Sequence, residues 1–263
     1  MTESSDKKDW DFYFCNVNGV LSSIMVDLRA NRRAPDSQMP WLLWVWVHMQ
    51  SPRDDGLSSD KEAPKLYEIE DALTRSFSEL GAVFVGRITG DSRREFYLYS
   101  PSSQNLDTAV NKARQSFSDY VFESGSEHDP DWDQYRDVLY PSEVDLQEIQ
   151  NRRVVDELEK RGDDHSIARP VDHAIYFRDP IDRSAFAAAA LECGFTMHSE
   201  SDHDTESERR YFLNLVRTDP VTLEHINEVV LQLFELAKQY GADYDGWGCE
   251  VQTAATTDRS ASE

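Results

Sequence analysis

Three short stretches carry residue types that could do chemistry. "HSESDHD" gathers His198, Asp202, His203 and Asp204 within seven residues. Imidazoles and carboxylates of this kind suit zinc or manganese. A metal centre also needs a second cluster converging on the same point, and none stands out, so the run reads as a polar turn at a strand end. "GRITGDSRR", residues 86–94, sets two glycines among three arginines. It has neither the GxxxxGK nor the GxGxxG spacing that wraps backbone amides around phosphate, and it reads as a hairpin turn. Cys15, Cys193 and Cys249 are far apart, odd in number and without a CxxC. That argues against a disulfide framework and fits a reducing cytoplasm. No GxSxG elbow is present. Cys193 and Cys249 fall on faces expected to be buried, where thiols are inert. His165 and His173 are eight residues apart, and His173 shares a strand face with Val171 and Ile175, as a core-edge histidine does. No catalytic residue, metal ligand or cofactor site is expected.

Charge narrows the partners. The 263 residues carry 27 Lys and Arg against 50 Asp and Glu, a net charge of −23. The imbalance is concentrated in residues 128–263, which hold 30 of the acidic groups and 13 of the basic ones. Binding to nucleic acid rests on Lys and Arg that release counterions from phosphates, so direct nucleic-acid binding is not expected. A basic protein segment would be steered towards such a surface. No apolar run reaches the roughly 20 residues of a membrane helix, and "MTESSDKKDW" lacks the apolar core of a signal peptide. The expected location is the cytoplasm, with no membrane partner.

Periodicity supplies the elements. "WDFYFCNV", the Asn18–Gly19 turn and "VLSSIMVDL" predict a hairpin. "WLLWVWVHM", bounded by Pro40 and Pro52, predicts a central strand. Trp41 points opposite to Trp44 and Trp46 there, and core is the expected place for them. Leu66, Ile69, Leu73, Phe77 and Leu80 recur at helical spacing before Gly81. "AVFVGRI" and "REFYLYS" predict two strands, and Leu106, Ala109, Val110, Ala113 and Phe117 a second helix. Residues 1–127 are thus expected to form an α+β domain with a mainly antiparallel sheet. The acidic, turn-rich "SGSEHDPDW" is the expected connector. Residues 128–263 are expected to hold a helical lead-in and then a ferredoxin-like β-α-β-β-α-β domain. Its strands are "VDHAIYF", "FTMHSES", "RRYFLNLVR" and "ADYDGWGCEV". Its helices are "DPIDRSAFAAAALECG" and "DPVTLEHINEVVLQLFELAKQYG". Residues 1–9 and 253–263 read as polar tails.

The last strand raises the sharpest question, because "YDGWG" sets an indole between two glycines. With a side-chain period of two, Trp247, Cys249 and Val251 point under the helices, and Gly246, Gly248 and Glu250 point the other way. Glycine inside a strand marks a bulge or a close approach by another group. The stretch therefore predicts either a bulge or a docking groove rimmed by Tyr244, Asp245 and Glu250.

The run "YDGWG" after "LFELAKQYG", with "VDHAIYF" and the helix ending "ECGF", resembles the bacterial regulator of ribonuclease E activity, type B. The resemblance covers roughly residues 163–251. The first half, with "WDFYFCNVNG", "SSIMVDL", "FVGRITG" and "REFYLY", resembles a bacterial domain of unknown function found fused to such a module. The resemblance implies a non-catalytic inhibitor. It would bind an RNA-degrading endonuclease or its scaffold region by protein contact, without cofactor, and so modulate RNA turnover. It points to Asp243, Tyr244, Asp245, Gly246, Trp247 and Gly248 as the signature region. Asp243, Tyr244, Asp245, Gly246, Gly248 and Glu250 are the expected protein-binding residues, with Trp247 structural. Two other classes remain open: an enzyme with an unrecognised hydrolase-like site in the first domain, or an acidic interaction module of the immunity-protein kind.

Overall fold

The computed structural model describes residues 9–202 and 211–253. The chain divides into two compact units, Met1–Ser142 and Glu143–Glu263. In the first unit, β1 (Trp10–Val17) and β2 (Val20–Asp27) form the expected hairpin. Asn18 and Gly19 turn it with φ of 51° and 83°, as a tight two-residue turn between twisted strands requires. β3 (Trp41–His48), β4 (Val83–Gly90), β5 (Arg93–Ser100) and β6 (Val121–His128) complete an antiparallel sheet in the order β1-β2-β4-β5-β3-β6.

Helices α1 (Ala63–Ser78) and α2 (Leu106–Arg114) lie on one face of that sheet. Leu66, Ile69, Leu73 and Phe77 of α1 meet Leu43, Val45 and Val47 of β3 in a single apolar core. Strict alternation along β3 then turns Trp44 and Trp46 to the opposite face, where they are half-buried with ring centroids 4.8 Å apart. They do not join the core under the helices.

The expected connector is instead a strand and its sequel. Residues 121–128 pair with β3 along their whole length. The strand is hard to see in sequence because an edge strand held by backbone bonds needs few apolar side chains. Gly125 is required in it, since a Cβ there would stand 2.4 Å from Cζ2 of Trp44. Beyond it, Trp132, Tyr135 and Leu139 are fully buried. Trp132 stacks on Tyr99 at 3.9 Å, and the Tyr135 hydroxyl donates to the Asp27 carbonyl at 2.8 Å. The π-helical segment Gln134–Leu139 therefore closes the second face of the first sheet. The break expected after Glu127 falls after Ser142.

The second unit opens with α3 (Glu143–Lys160). It continues with β7 (Arg169–Phe177), α4 (Pro180–Glu192), β8 (Thr196–Asp202), β9 (Tyr211–Asp219), α5 (Leu223–Gln239) and β10 (Asp243–Cys249). The sheet order β10-β7-β9-β8, antiparallel throughout, is the ferredoxin-like order expected of β-α-β-β-α-β. The Asp179 carboxylate caps α4 by accepting from the Ile181 amide at 2.7 Å, a free donor that helix starts leave over. β7 alternates cleanly: Val171, Ile175 and Phe177 pack with Ile226, Val230 and Leu233 of α5 and Phe186 of α4. The tails expected over residues 1–9 and 253–263, and His203 and Asp204 of the acidic loop, lie outside the described residues, Asp9 and Thr253 excepted.

Candidate functional site

The "YDGWG" strand is bulged. Tyr244 pairs with Ile175, but Gly246 pairs with the next residue, Ala174, so Asp245 is the extra residue. Gly246 takes up the bend at φ 130°, a conformation only glycine adopts without strain. A bulge shifts every side chain before it to the other face. Tyr244 therefore does not rim a groove with Gly246 and Gly248, as the unbroken period predicted. It turns under the helices, 9 % exposed, with its hydroxyl 2.9 Å from Nδ1 of His173. Burial raises the Tyr244 hydroxyl well above the usual phenol range and lowers His173 to about 4. The pair is neutral at neutral pH. His173 is a core histidine, as expected, though its Nε2 is buried without a hydrogen-bond partner.

After the bulge the period holds. Trp247 and Cys249 lie on the helix side with His173 and Val171. The Trp247 Nε1–H donates to Oδ1 of Asn151 at 2.9 Å, and Asn151 Nδ2 donates to Oδ1 of Asn227 at 2.9 Å. Trp247 is thus the peg that ties β10 to α3 and α5. Burial pushes the Cys249 thiol up, which keeps it unreactive.

A second anchor fixes the far end of the strand. The Arg169 guanidinium and the Asp163 carboxylate form a fully buried ion pair. Asp163 also accepts from the Gln252 amide at 2.7 Å, and Arg169 donates to the Glu250 carbonyl at 3.2 Å.

The first of these anchors, Trp247 and Asn151, lines a cleft of about 350 Å³. Gln147, Gln150 and Val154 of α3 form one wall. Gly246 and Gly248, with Asp172, Ala174 and Asn214, line it as well, Asn151, His173 and Trp247 contribute too, and exposed Asp245 stands at its rim. Of the expected contact residues, Asp245, Gly246 and Gly248 line this cleft. Asp243 and Glu250 do not, and Tyr244 is withdrawn by the bulge. Sequence reasoning missed Asp172 and Asn214. Alternation in "VDHAIYF" already placed Asp172 opposite Val171 and His173, and Asn214 follows from its register against Ala174.

The lining is rich in acceptors. Asn214 Nδ2 donates to Oδ1 of Asp172 at 3.1 Å, while its own Oδ1 is buried with no partner. The arrangement can hold a cation or a donor-rich group. It holds no nucleophile beside a base.

The first unit has a concavity of about 330 Å³ of a different character. Its charged side chains are engaged within the fold, and the polar atom left buried without a partner is a donor, Nε1 of Trp46. Arg93 Nε donates to Oε1 of Glu95 at 2.6 Å, and the Tyr97 hydroxyl donates to Oε2 of the same carboxylate. The Arg93 guanidinium also covers the Trp46 ring at 4.4 Å. Burial and the Glu95 charge hold the Tyr97 hydroxyl protonated. Both carboxylate oxygens that could act as a base are engaged.

Among the described residues no three His, Cys, Asp or Glu side chains converge on a metal position. His198 is exposed on β8, and Asp202 pairs with Arg183 at 2.8 Å. No described helix is long and apolar enough to cross a membrane.

Comparison with known proteins follows the two units. Residues 8–140 match the family of unknown function DUF695, and residues 148–249 match the family Regulator of ribonuclease activity B. No curated protein sequence matches the chain. Among solved structures, one of an unknown protein from Galdieria sulphuraria is 10% identical. It covers 79% of this chain and 96% of its own, with a TM-score of 0.23. A second, described as a glycine cleavage system transcriptional repressor, is 11% identical and covers 81% of this chain and 98% of its own, with a TM-score of 0.23. Similarity that low carries no weight for fold or function. The chain belongs to the family of unknown function DUF695 through its first unit, and its second unit carries a domain of the family of regulators of ribonuclease activity, type B.

Proposed function

We propose that the protein restrains an RNA-degrading endonuclease of the ribonuclease E type, or its scaffold, by docking a basic segment of it against the β10–α3 cleft. The action is occlusion in the cytoplasm, and no bond is made or broken. The observation that carries this reading is the cleft itself. The signature strand contributes bare glycine backbone and the Asp245 carboxylate, Asp172 adds a second carboxylate, and the lining offers acceptors rather than a reacting pair. The acidic excess supports it: residues 143–263 carry 26 Asp and Glu against 12 Lys and Arg. A field of that sign raises the encounter rate with a basic segment and weakens with added salt.

The test is RNA cleavage by a ribonuclease E-type endonuclease with and without the full-length protein, at low and high ionic strength. Slower cleavage at low salt, relieved as salt rises, is the expected result. Cleavage indifferent to the protein at every salt concentration rules the reading out.

A further inference from the structure

Gly246 and Gly248 are both glycines of one strand, but the fold needs only one of them. Gly246 sits at φ 130° in the bulge. Gly248 has an ordinary strand backbone, and a Cβ built on it would meet nothing within 4 Å. Inside a strand, glycine is less favourable than alanine, because it gives up more backbone freedom on folding. Neither backbone conformation nor internal packing accounts for it. The space above Gly248 is part of the cleft, so the missing side chain leaves room for something that enters.

The chemistry of the entrant follows from the lining. Asp172 uses Oδ1 to accept from Asn214. Asn214, which lines the same cleft, keeps Oδ1 buried and unpaired, an unfavourable state that a donor from an entering group would relieve. Asp245 adds an exposed carboxylate at the rim. Several acceptors beside side-chain-free glycine backbone match a planar group with several donors. A guanidinium has five in one plane, whereas an ammonium is a compact point charge.

We propose that the cleft receives a single arginine side chain of the protein partner, its guanidinium flat on the backbone of Gly246 and Gly248 and bonded to Asp172, Asn214 and Asp245. The inference rests on the reading that the second unit binds a basic protein segment, and it names the group that unit reads.

The test uses the full-length protein, labelled with ¹⁵N, and three capped pentapeptides, Gly-Gly-X-Gly-Gly, with X arginine, lysine or citrulline. The arginine peptide should shift the amides of Gly246 and Gly248. It should bind about tenfold more tightly than the lysine peptide, a difference of about 1.4 kcal/mol. Citrulline, which keeps the shape and loses the charge, should bind more weakly still. Gly248→Leu fills the floor and should abolish the shifts. Asp172→Asn keeps the shape of its side chain and should weaken arginine binding about tenfold, so the proposal stays testable if the leucine variant misfolds. Equal binding of the three peptides, or arginine binding unchanged in a folded Gly248→Leu or Asp172→Asn variant, overturns it. Loss of peptide binding in a variant that still slows the endonuclease also refutes the arginine anchor and leaves the regulatory reading standing. Arginine binding by a protein that never slows the endonuclease refutes the reading and keeps the anchor.

Discussion

The concavities of the two units are nearly equal in size, about 330 Å³ in the first and 350 Å³ in the second, and opposite in how they treat polar groups. In the first, Arg93 and Tyr97 occupy the Glu95 carboxylate, a cation covers the Trp46 ring, and the buried atom left unpaired is a donor, Nε1 of Trp46. In the second, Asn214 Oδ1 goes unpaired and two carboxylates stand near a glycine floor. A carboxylate already bonded within the fold has little left to offer a basic ligand. Pockets of nearly equal volume thus suit ligands of opposite kind, and an acceptor and carboxylates left over, not size, mark the one that fits a basic segment.

Removing the supports of each concavity sharpens the contrast. The largest effect should come from Arg169→Ala, which leaves the Asp163 carboxylate buried without its partner. The expected loss is about 3–5 kcal/mol, read by chemical denaturation, with the β10 end of the cleft disordered. A loss under about 1 kcal/mol would mean that this ion pair does not hold the strand.

Acid should act on the second unit through His173. Its folded value of about 4 lies below the ordinary 6.5, so between those values the unfolded chain binds more protons. Stability from this group is then present above pH 6.5 and is lost as pH falls towards 4. On the order of 2 kcal/mol is expected across that window. His173→Phe should flatten the slope, and an unchanged pH profile would remove the histidine from the account.

In the first unit, Glu95→Gln replaces a carboxylate that accepts from both Arg93 and Tyr97. Stability should fall by about 1–3 kcal/mol while association with the endonuclease is unaffected. Lost association would mean that the satisfied cavity also takes part in recognition.

A smaller effect on stability should come from Gly248→Ala, expected to be neutral or stabilising by up to about 1 kcal/mol. A melting temperature lowered by several degrees would show that the glycine serves the fold after all.

Much of this was legible in the sequence. The apolar faces of α1 and α5 are strongly periodic, and "NG" set the first hairpin, so most elements of both units could be read from pattern alone. The acidic surplus and "YDGWG" pointed to the strand that lines the second unit's cleft. Two things were hidden. β6 is held by backbone pairing and by Trp44 lying over Gly125, neither of which leaves an apolar alternation, so a strand looked like a connector. The bulge at Asp245 reversed Tyr244. A single inserted residue is invisible to a period of two until the partner strand is known. Asn214 and α3 joined the cleft through tertiary register, which no local pattern encodes.

The central claim is that recognition depends on negative charge at the β10–α3 cleft. The direct measurement is the association rate of a ribonuclease E-type endonuclease with the full chain and with Asp245→Lys, followed across ionic strength. Asp245 is exposed, so the exchange should leave stability within about 0.5 kcal/mol. The account predicts a slower association for the variant and a gap that narrows as salt rises. Identical rates for the two proteins, insensitive to salt, would contradict it.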